Sequence, residues 1–587
     1  MTEPLLGDED ADTRPRQERT PGRSAPPDWW PRAVCAVALV TPLVILAVGA
    51  WKYRWMSDDA FINLRVVKQL LAGHGPVFNP GERVEASTSP LWLYLLAAAD
   101  VVTPVRLEWI AVVLGMGLTL AGVAAAIAGA SVLCARRVRG ELLLPVGALV
   151  LVVLAPMWKY SSGGLESGLS FAWLGASLWI LASWSRRDAR IPPWGAAVIG
   201  LGPLIRPDLA LFSVAFVGLV LASEWSGGWR TRVGVLVWAT ALPVAYQVFR
   251  MGYYASLVPN PGIAKEAARS YWSPGWTYLR KTIMPYALWF PLAVLAAGAY
   301  VPLVAHLRRD ARRRALWTVL VFGVVGLAHA LYVVRVGGDF MNARLLMPSL
   351  FAIAAPVAVA PVRKQFLGAM LVVPWAIVAL VGLRSVDDQP RTFDKSTTNA
   401  VTLADLGWGR NGPYRAQFNR TGVYFTGVLL PARAKPGEPA RVVAGYGIGE
   451  VGYALRDAYV LDLLGLADPF TAHLRLKHRG IVAHEKPLPL PWIAARLTAP
   501  APALRASDFP PQGFALAIDE PDDVPFGERV VWARRALDCA TVRDFFAEYR
   551  SPLTIGRFVD NLGASFSSWN FRIPPEPRAA YEGLCRR

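Results

Sequence analysis

Two adjacent carboxylates, Asp58 and Asp59, stand in the stretch RWMSDDAFINLR, directly after the first long apolar run of the chain. Acids at the edge of an apolar layer are costly unless water, cations or chemistry hold them there. AFINLRVVKQLL has helical periodicity, and Ser57 or one aspartate is enough to cap such a helix, whose N-terminus favours negative charge. A second acid exceeds that need. Two carboxylates this close shift one another's pKa, which suits one of them to acid–base work. Capping and catalysis are compatible readings.

Cations recur in other short loops. Arg206-Pro207-Asp208 sits between two apolar runs. Proline and an acid are ordinary at a helix start, but an arginine at membrane depth costs at least about 2.5 kcal/mol and serves a partner, here Asp208 or a bound phosphate. Lys265 follows the proline-rich turn of SLVPNPGIAKEA, where simple solvation and an anion partner are both open. In GGDFMNAR, Gly337 and Gly338 suggest a close backbone approach before Asp339, and Arg344 offers bidentate donors to phosphate. Tyr253 and Tyr254 fit an interfacial aromatic belt. Glu166, in GGLESGL, reads as a helix-start acid. Gly447, Gly449 and Gly452 match GxGxxG between a strand and a helix, a weak signal for dinucleotides when it stands alone. His473, His478 and His484 lack a metal-ligand spacing, so solvated or acceptor-facing roles are expected and no metal site is assigned.

The elements that must position these residues are membrane helices. Of 587 residues, 54% are hydrophobic and only 18% charged, a balance foreign to soluble domains. The net charge of +18 fits basic loops on anionic lipid, since no nucleic-acid-binding pattern is present. Residues 1–32 read as a disordered cytoplasmic tail. Apolar runs at 34–50, 107–134, 141–157, 167–184, 193–205, 208–225, 231–250, 285–305, 315–334, 345–361 and 366–383 are candidate spans, whereas 91–102 is too short to cross about 30 Å. The loops ARRVRG, SRRDAR, GGWRTR, HLRRDARRR and VRKQ are all basic. Eleven spans from a cytoplasmic N-terminus place every one of them inside. Residues 52–106, the other loops named above and the polar region 384–587 then face outward. RVVAGYG, GEVGYALRDA and YVLDLLGL predict strand, helix, strand, hence a C-terminal α/β domain beside the transmembrane domain 33–383. Cys35 and Cys134 read as buried apolar residues. Cys539 and Cys585, on an outward-facing domain, are the candidate disulfide, worth about 4 kcal/mol in the chain-entropy model.

Over nearly all of its length after residue 33 the chain resembles the GT-C membrane glycosyltransferases, and among them the AftB family of terminal arabinofuranosyltransferases. The resemblance is carried by RWMSDDAFINLR, LLAGHGPVFNPGERVEASTSPLW, SSGGLESG, LIRPDLAL, LPVAYQVFRMGYYASLVP, GGDFMNARLL, LDLLGLADPFTAHLRLKHRGI and ALDCATVRDFFAEYRSPLTIGRF, in that order. Asp208 departs from the glutamate of the family pattern, keeping charge with shorter reach. The resemblance implies a decaprenyl-phosphate-linked arabinofuranose donor, an arabinan acceptor and β-(1→2) caps on arabinogalactan and lipoarabinomannan at the plasma membrane. No cofactor beyond the lipid-linked donor is assigned, and a divalent metal stays an open alternative. It points to Asp58 and Asp59 as the catalytic pair. Arg206, Asp208, Lys265, Asp339, Arg344, Glu85 and Tyr254 are substrate-binding candidates. If donor and product are both β-linked, configuration is retained, which asks the pair for more than one base. A non-catalytic relative, similar to flagellar motor control proteins, and a lipid-linked sugar transporter are the competing readings; a transporter would more naturally show inverted repeats.

Overall fold

Long apolar runs leave backbone groups no water to bond, so they fold as helices that satisfy those groups internally. The computed structural model describes residues 30–134, 142–187, 190–383, 429–431, 441–455, 458–476, 482, 484–496 and 524–586. Nearly all of the expected tail and the basic loop 135–140 lie outside them.

The first part runs α1 (Trp30–Lys52), α2 (Asp58–Leu71), α3 (Pro90–Val102), α4 (Leu107–Cys134), β1 (Leu143–Leu144), α5 (Val146–Val152), α6 (Ala155–Ser162) and α7 (Ser167–Ser185). It continues through α8 (Pro193–Gly200), α9 (Gly202–Ile205), α10 (Ala210–Ser223), α11 (Gly228–Tyr254), α12 (Asn260–Ala264), α13 (Trp272–Ile283), α14 (Trp289–Leu295) and α15 (Val301–Arg309). α16 (Arg313–Val336), α17 (Met347–Ala354), β2 (Ala360–Pro361) and α18 (Val372–Val381) complete it. Among the described residues six helical stretches are long and apolar enough to cross a membrane: 33–52, 107–134, 228–254, 289–309, 313–336 and 364–381. α6 and α7 together also qualify, bent by 109° at their junction. This is a polytopic helical membrane protein.

The other expected spans are shorter or broken, and prolines explain why. The 141–157 run divides into α5 and α6 ahead of Pro156, 193–205 divides at Leu201 ahead of Pro203, and 345–361 ends in a 3-10 turn at Pro356 and then β2. Proline removes a helical donor and disfavours the α conformation in the residue before it. Cys134 is buried as expected, but Cys35 is only half-buried.

α4 and α7 pack in parallel through glycines seven residues apart. Cβ atoms on Gly168 and Gly175 would collide with the backbones of Gly115 and Gly122, and one on Gly122 with that of Phe171. Small residues allow this close approach of membrane helices. Gly175→Leu forces the pair apart; we expect a lower unfolding midpoint in detergent and poor membrane accumulation, and an unchanged midpoint would refute the tight crossing.

The two ends of the helical layer differ in charge. Arg312 Nη1 donates to Leu133 O at 2.8 Å and Arg314 Nη1 to Arg187 O at 3.0 Å, which sets the basic turn before α16 against the ends of α4 and α7. Glu166, Arg206 and Arg344 lie at the opposite end. α7, with 19 residues and a rise of about 1.5 Å each, separates its flanking residues Glu166 and Arg186 by about 30 Å.

In the C-terminal region β3 (Leu429–Pro431) pairs antiparallel with β4 (Arg441–Gly445), and β4 pairs parallel with β5 (Tyr459–Asp462) across α19 (Gly449–Ala454). The expected strand–helix–strand is therefore present. The described remainder is helical: α20 (Pro469–Ala472), α21 (Leu490–Arg496), α22 (Phe526–Leu537), α23 (Ala540–Arg550), α24 (Ile555–Asn570) and α25 (Pro577–Cys585). Its core includes Phe470 and Trp492, both fully buried, with Trp492 Nε1 donating to Pro575 O at 2.7 Å. Cys539 and Cys585 form a disulfide.

Candidate active site

Ser57 caps α2, its Oγ accepting from Ala60 N at 3.1 Å. The turn before α7 fixes this start: Ser57 N donates to Gly163 O at 3.2 Å and Trp92 Nε1 to Gly164 O at 3.1 Å. With the cap supplied by Ser57, both aspartates are free to serve elsewhere, and they diverge. Asp58 turns to α19, where Oδ2 accepts from Gly449 N at 3.1 Å and Oδ1 from Glu450 N at 2.8 Å. Asp59 turns the other way, with Oδ2 3.6 Å from Arg344 Nη1.

Arg344 is the hub of a chain of charges. It lies 3.3 Å from Asp339 Oδ2 and 3.4 Å from Glu166 Oε1. Glu166 Oε1 in turn lies 3.9 Å from Arg206 Nε. Arg206 grips Asp208 with two bonds, of 3.0 and 2.8 Å. Asp208 Oδ2 is 2.8 Å from His329 Nε2, and His329 Nδ1 is 2.7 Å from Ser349 Oγ. Of the two partners considered for Arg206, Asp208 is thus present, and Arg344, expected to offer donors to phosphate, is itself engaged by carboxylates. Each keeps one buried N–H, Arg206 Nη1 and Arg344 Nε, without a partner among the described residues. Buried donors of this kind need a partner, a water or an anion.

α19 is held at both ends by α2. Its N-terminal N–H groups meet Asp58, and carbonyls at and just past its C-terminus meet the buried guanidinium of Arg65, which bonds to Gly452 O, Leu455 O at 3.2 Å and Ala458 O at 2.8 Å. Acid at the N-terminus and cation at the C-terminus match the helix dipole. A Cβ on Gly449 would collide with the backbone carbonyl of Asp58, and one on Gly452 with the Arg65 side chain of α2 and the Phe78 ring. The glycine pattern thus serves close docking of two helices. Gly449→Val should undock α19, exposing the C-terminal region to limited proteolysis and abolishing activity; protease resistance equal to wild type would count against the latch.

Burial pushes Asp58 up to about 6, with the charge of Asp59 adding and the two backbone N–H bonds opposing. Burial and then Asp58 push Glu450 up to about 8. His484 is lowered by burial and then by Lys265, against the pull of Asp59 and Asp339. Its ring meets Phe340 edge-on, 4.9 Å between centroids.

The structure brings Asp59, Arg206, Asp208, Asp339 and Arg344 into one network and sets Asp58 at its edge. Lys265 closes the short α12 and makes no ion pair among the described residues. Glu85 and Tyr254 are engaged elsewhere: Glu85 bonds Arg250 at 2.5 and 3.2 Å and Tyr246 at 2.7 Å, and Tyr254 donates to Pro76 O at 2.8 Å. They pack the 75–90 loop against α11. His473 is fully buried, not solvated, bonding Pro469 O at 2.6 Å beside Phe545. His478 lies outside the described residues. No group of three His, Cys, Asp or Glu side chains among the described residues is arranged to hold a metal ion. Sequence reasoning missed the bridging role of Glu166 and the whole contribution of His329. Both are ionisable groups within or beside apolar runs, and that was the usable signal.

Fold and site define a polytopic membrane protein whose acidic pair is braced by buried arginines on one side and by a C-terminal domain on the other. Residues 447–578, which begin at the latch, match the AftB family C-terminal domain. The chain is 34% identical to the terminal beta-(1→2)-arabinofuranosyltransferase of Mycobacterium tuberculosis, covering 91% of this chain and 95% of that protein. To the protein of the same name from Corynebacterium glutamicum it is 32% identical, over 90% and 84%. The chain belongs to the AftB family. No solved structure matches it.

Proposed function

We propose that the chain transfers arabinofuranose from a decaprenyl-phosphate-linked donor to the ends of arabinan, adding β-(1→2)-linked caps to arabinogalactan and lipoarabinomannan. Membership of the AftB family supports the reaction class. The divergence of Asp58 and Asp59 into two environments is the observation that carries the mechanism.

The basic end of the layer is read as cytoplasmic and the Asp58 end as outward, with eleven passages between them. The parallel course of α4 and α7 supports a return passage through α5 and α6, although neither helix is long enough to cross alone. A polyprenyl tail dissolves only in the bilayer, and the arabinan lies outside it. The reacting carbon must therefore meet both at this outward end.

Pairs of carboxylates in unlike environments divide acid–base labour. Asp58, pushed up to about 6, accepts the proton of the incoming hydroxyl as its oxygen bonds to the anomeric carbon on the face the phosphate leaves, so the β configuration is kept without a covalent intermediate. Asp59 stays paired to Arg344 and faces the positive charge that develops on the sugar. The sugar–phosphate C–O bond breaks with its electrons passing to the phosphate oxygen. Arg206 Nη1, Arg344 Nε and Lys265 are the groups assigned to the departing phosphate. Purified protein in lipid vesicles, given decaprenyl-phosphoryl arabinose and a short arabinan, should form a β-(1→2)-linked product. No transfer by folded wild-type protein would overturn the proposal.

A further inference from the structure

α24 carries three distinct faces. Phe558, Asn561, Ser565 and Ser568 turn into the protein: Phe558 packs over Gly252, Asn561 Nδ2 donates to Gly252 O at 2.8 Å and Ser568 Oγ to Ala255 O at 2.9 Å. Gly556, Asp560, Gly563 and Ser567 form a small, polar face. Ile555, Val559, Leu562 and Phe566, spaced i, i+4, i+7 and i+11, form an apolar stripe. Ile555 is 87% exposed, Val559 59% and Phe566 60%. An open apolar stripe of this kind marks an interaction surface.

Its neighbour identifies the occupant. Gly252 and Ala255 mark the end of α11, a stretch apolar enough to cross a membrane whose Leu236, Trp238, Leu242 and Val244 face outward as lipid-facing side chains do. Phe249 and Tyr253, both half-buried, stack at 5.0 Å at its end. Aromatics at the end of a span mark the membrane–water boundary, so α24 is docked at boundary depth. α13, at the matching end of α16, repeats the pattern: Trp272 and Trp276 are exposed one turn apart, while Gly275 packs on Val334.

We propose that α24 lies in the bilayer interface, with Ile555, Val559, Leu562 and Phe566 between headgroups and acyl chains, fastening the C-terminal domain to the membrane beside α11. A helix with one apolar face and one small, polar face lies in the plane of that interface.

The test uses full-length protein in phosphatidylglycerol–phosphatidylcholine nanodiscs, with Cys35 and Cys134 replaced by serine. Nitroxide labels go on V559C, F566C, D560C and S567C, one at a time, and relaxation by oxygen and by a water-soluble nickel complex is compared. Oxygen should exceed nickel several-fold at V559C and F566C, with the order reversed at D560C and S567C. Equal nickel access at all four positions would place the stripe in water. Exclusion of both reagents at V559C and F566C would mean that protein covers it, such as a second copy. Either result overturns the proposal.

Discussion

Asp59→Asn is expected to lower transfer at least about a thousandfold in protein that still purifies as a folded species, within the range that positioned carboxylates contribute. The asparagine keeps the shape of the side chain and the start of α2, which Ser57 caps independently. It removes the charge that faces Arg344. Asp58→Asn should also be severe, for a different reason: the amide oxygen can still accept from one N–H of α19, but it cannot take a proton. The pH profile separates the two roles. A base must be ionised, and Asp58 is half protonated near pH 6, so wild-type kcat/KM should fall as pH drops through about 6. Had an ordinary aspartate been the base, the fall would come near 4. Steady-state rates in vesicles between pH 4.5 and 8 decide this, and a profile flat down to pH 5 would remove Asp58 from the proton transfer.

Arg344→Ala should destabilise the protein as well as inactivate it. Arg344 is the counter-charge shared by Asp59, Asp339 and Glu166, and stripping one partner from a buried network costs about 3–5 kcal/mol. The unfolding midpoint should fall by several degrees. Adding Glu166→Gln relieves part of the uncompensated charge, so the double variant should melt above Arg344→Ala while remaining inactive. A double variant that melts lower than the single one would show that Glu166 does not depend on Arg344.

The membrane helices were legible because hydropathy is a local property, and the acid pair because charge beside an apolar run is anomalous wherever it occurs. The strand–helix–strand around Gly449 was legible from alternation and spacing. Its purpose was not. The partner that fits Gly449 and Gly452 is α2, almost four hundred residues earlier, and no local pattern encodes that pairing. Glu166 was read locally as a helix-start acid, and it does precede α7. Its bond to two arginines from separate loops emerges only when the chain is folded. Glu85 shows the same limit: nothing in its own stretch announces Arg250 and Tyr246, which engage it from α11. The prolines that break the shorter spans were visible, but hydropathy averages over them.

The grip of α2 on α19 has a consequence for biogenesis. Asp58 and its partner Gly449 are separated by 391 positions, so α2 leaves the ribosome long before the helix it must hold. Throughout that interval the nascent enzyme carries its acid pair with one member unanchored, and it gains its final arrangement only after the chain has been translated past Gly449. A chain cut short after the membrane helices would insert, yet never become competent for transfer.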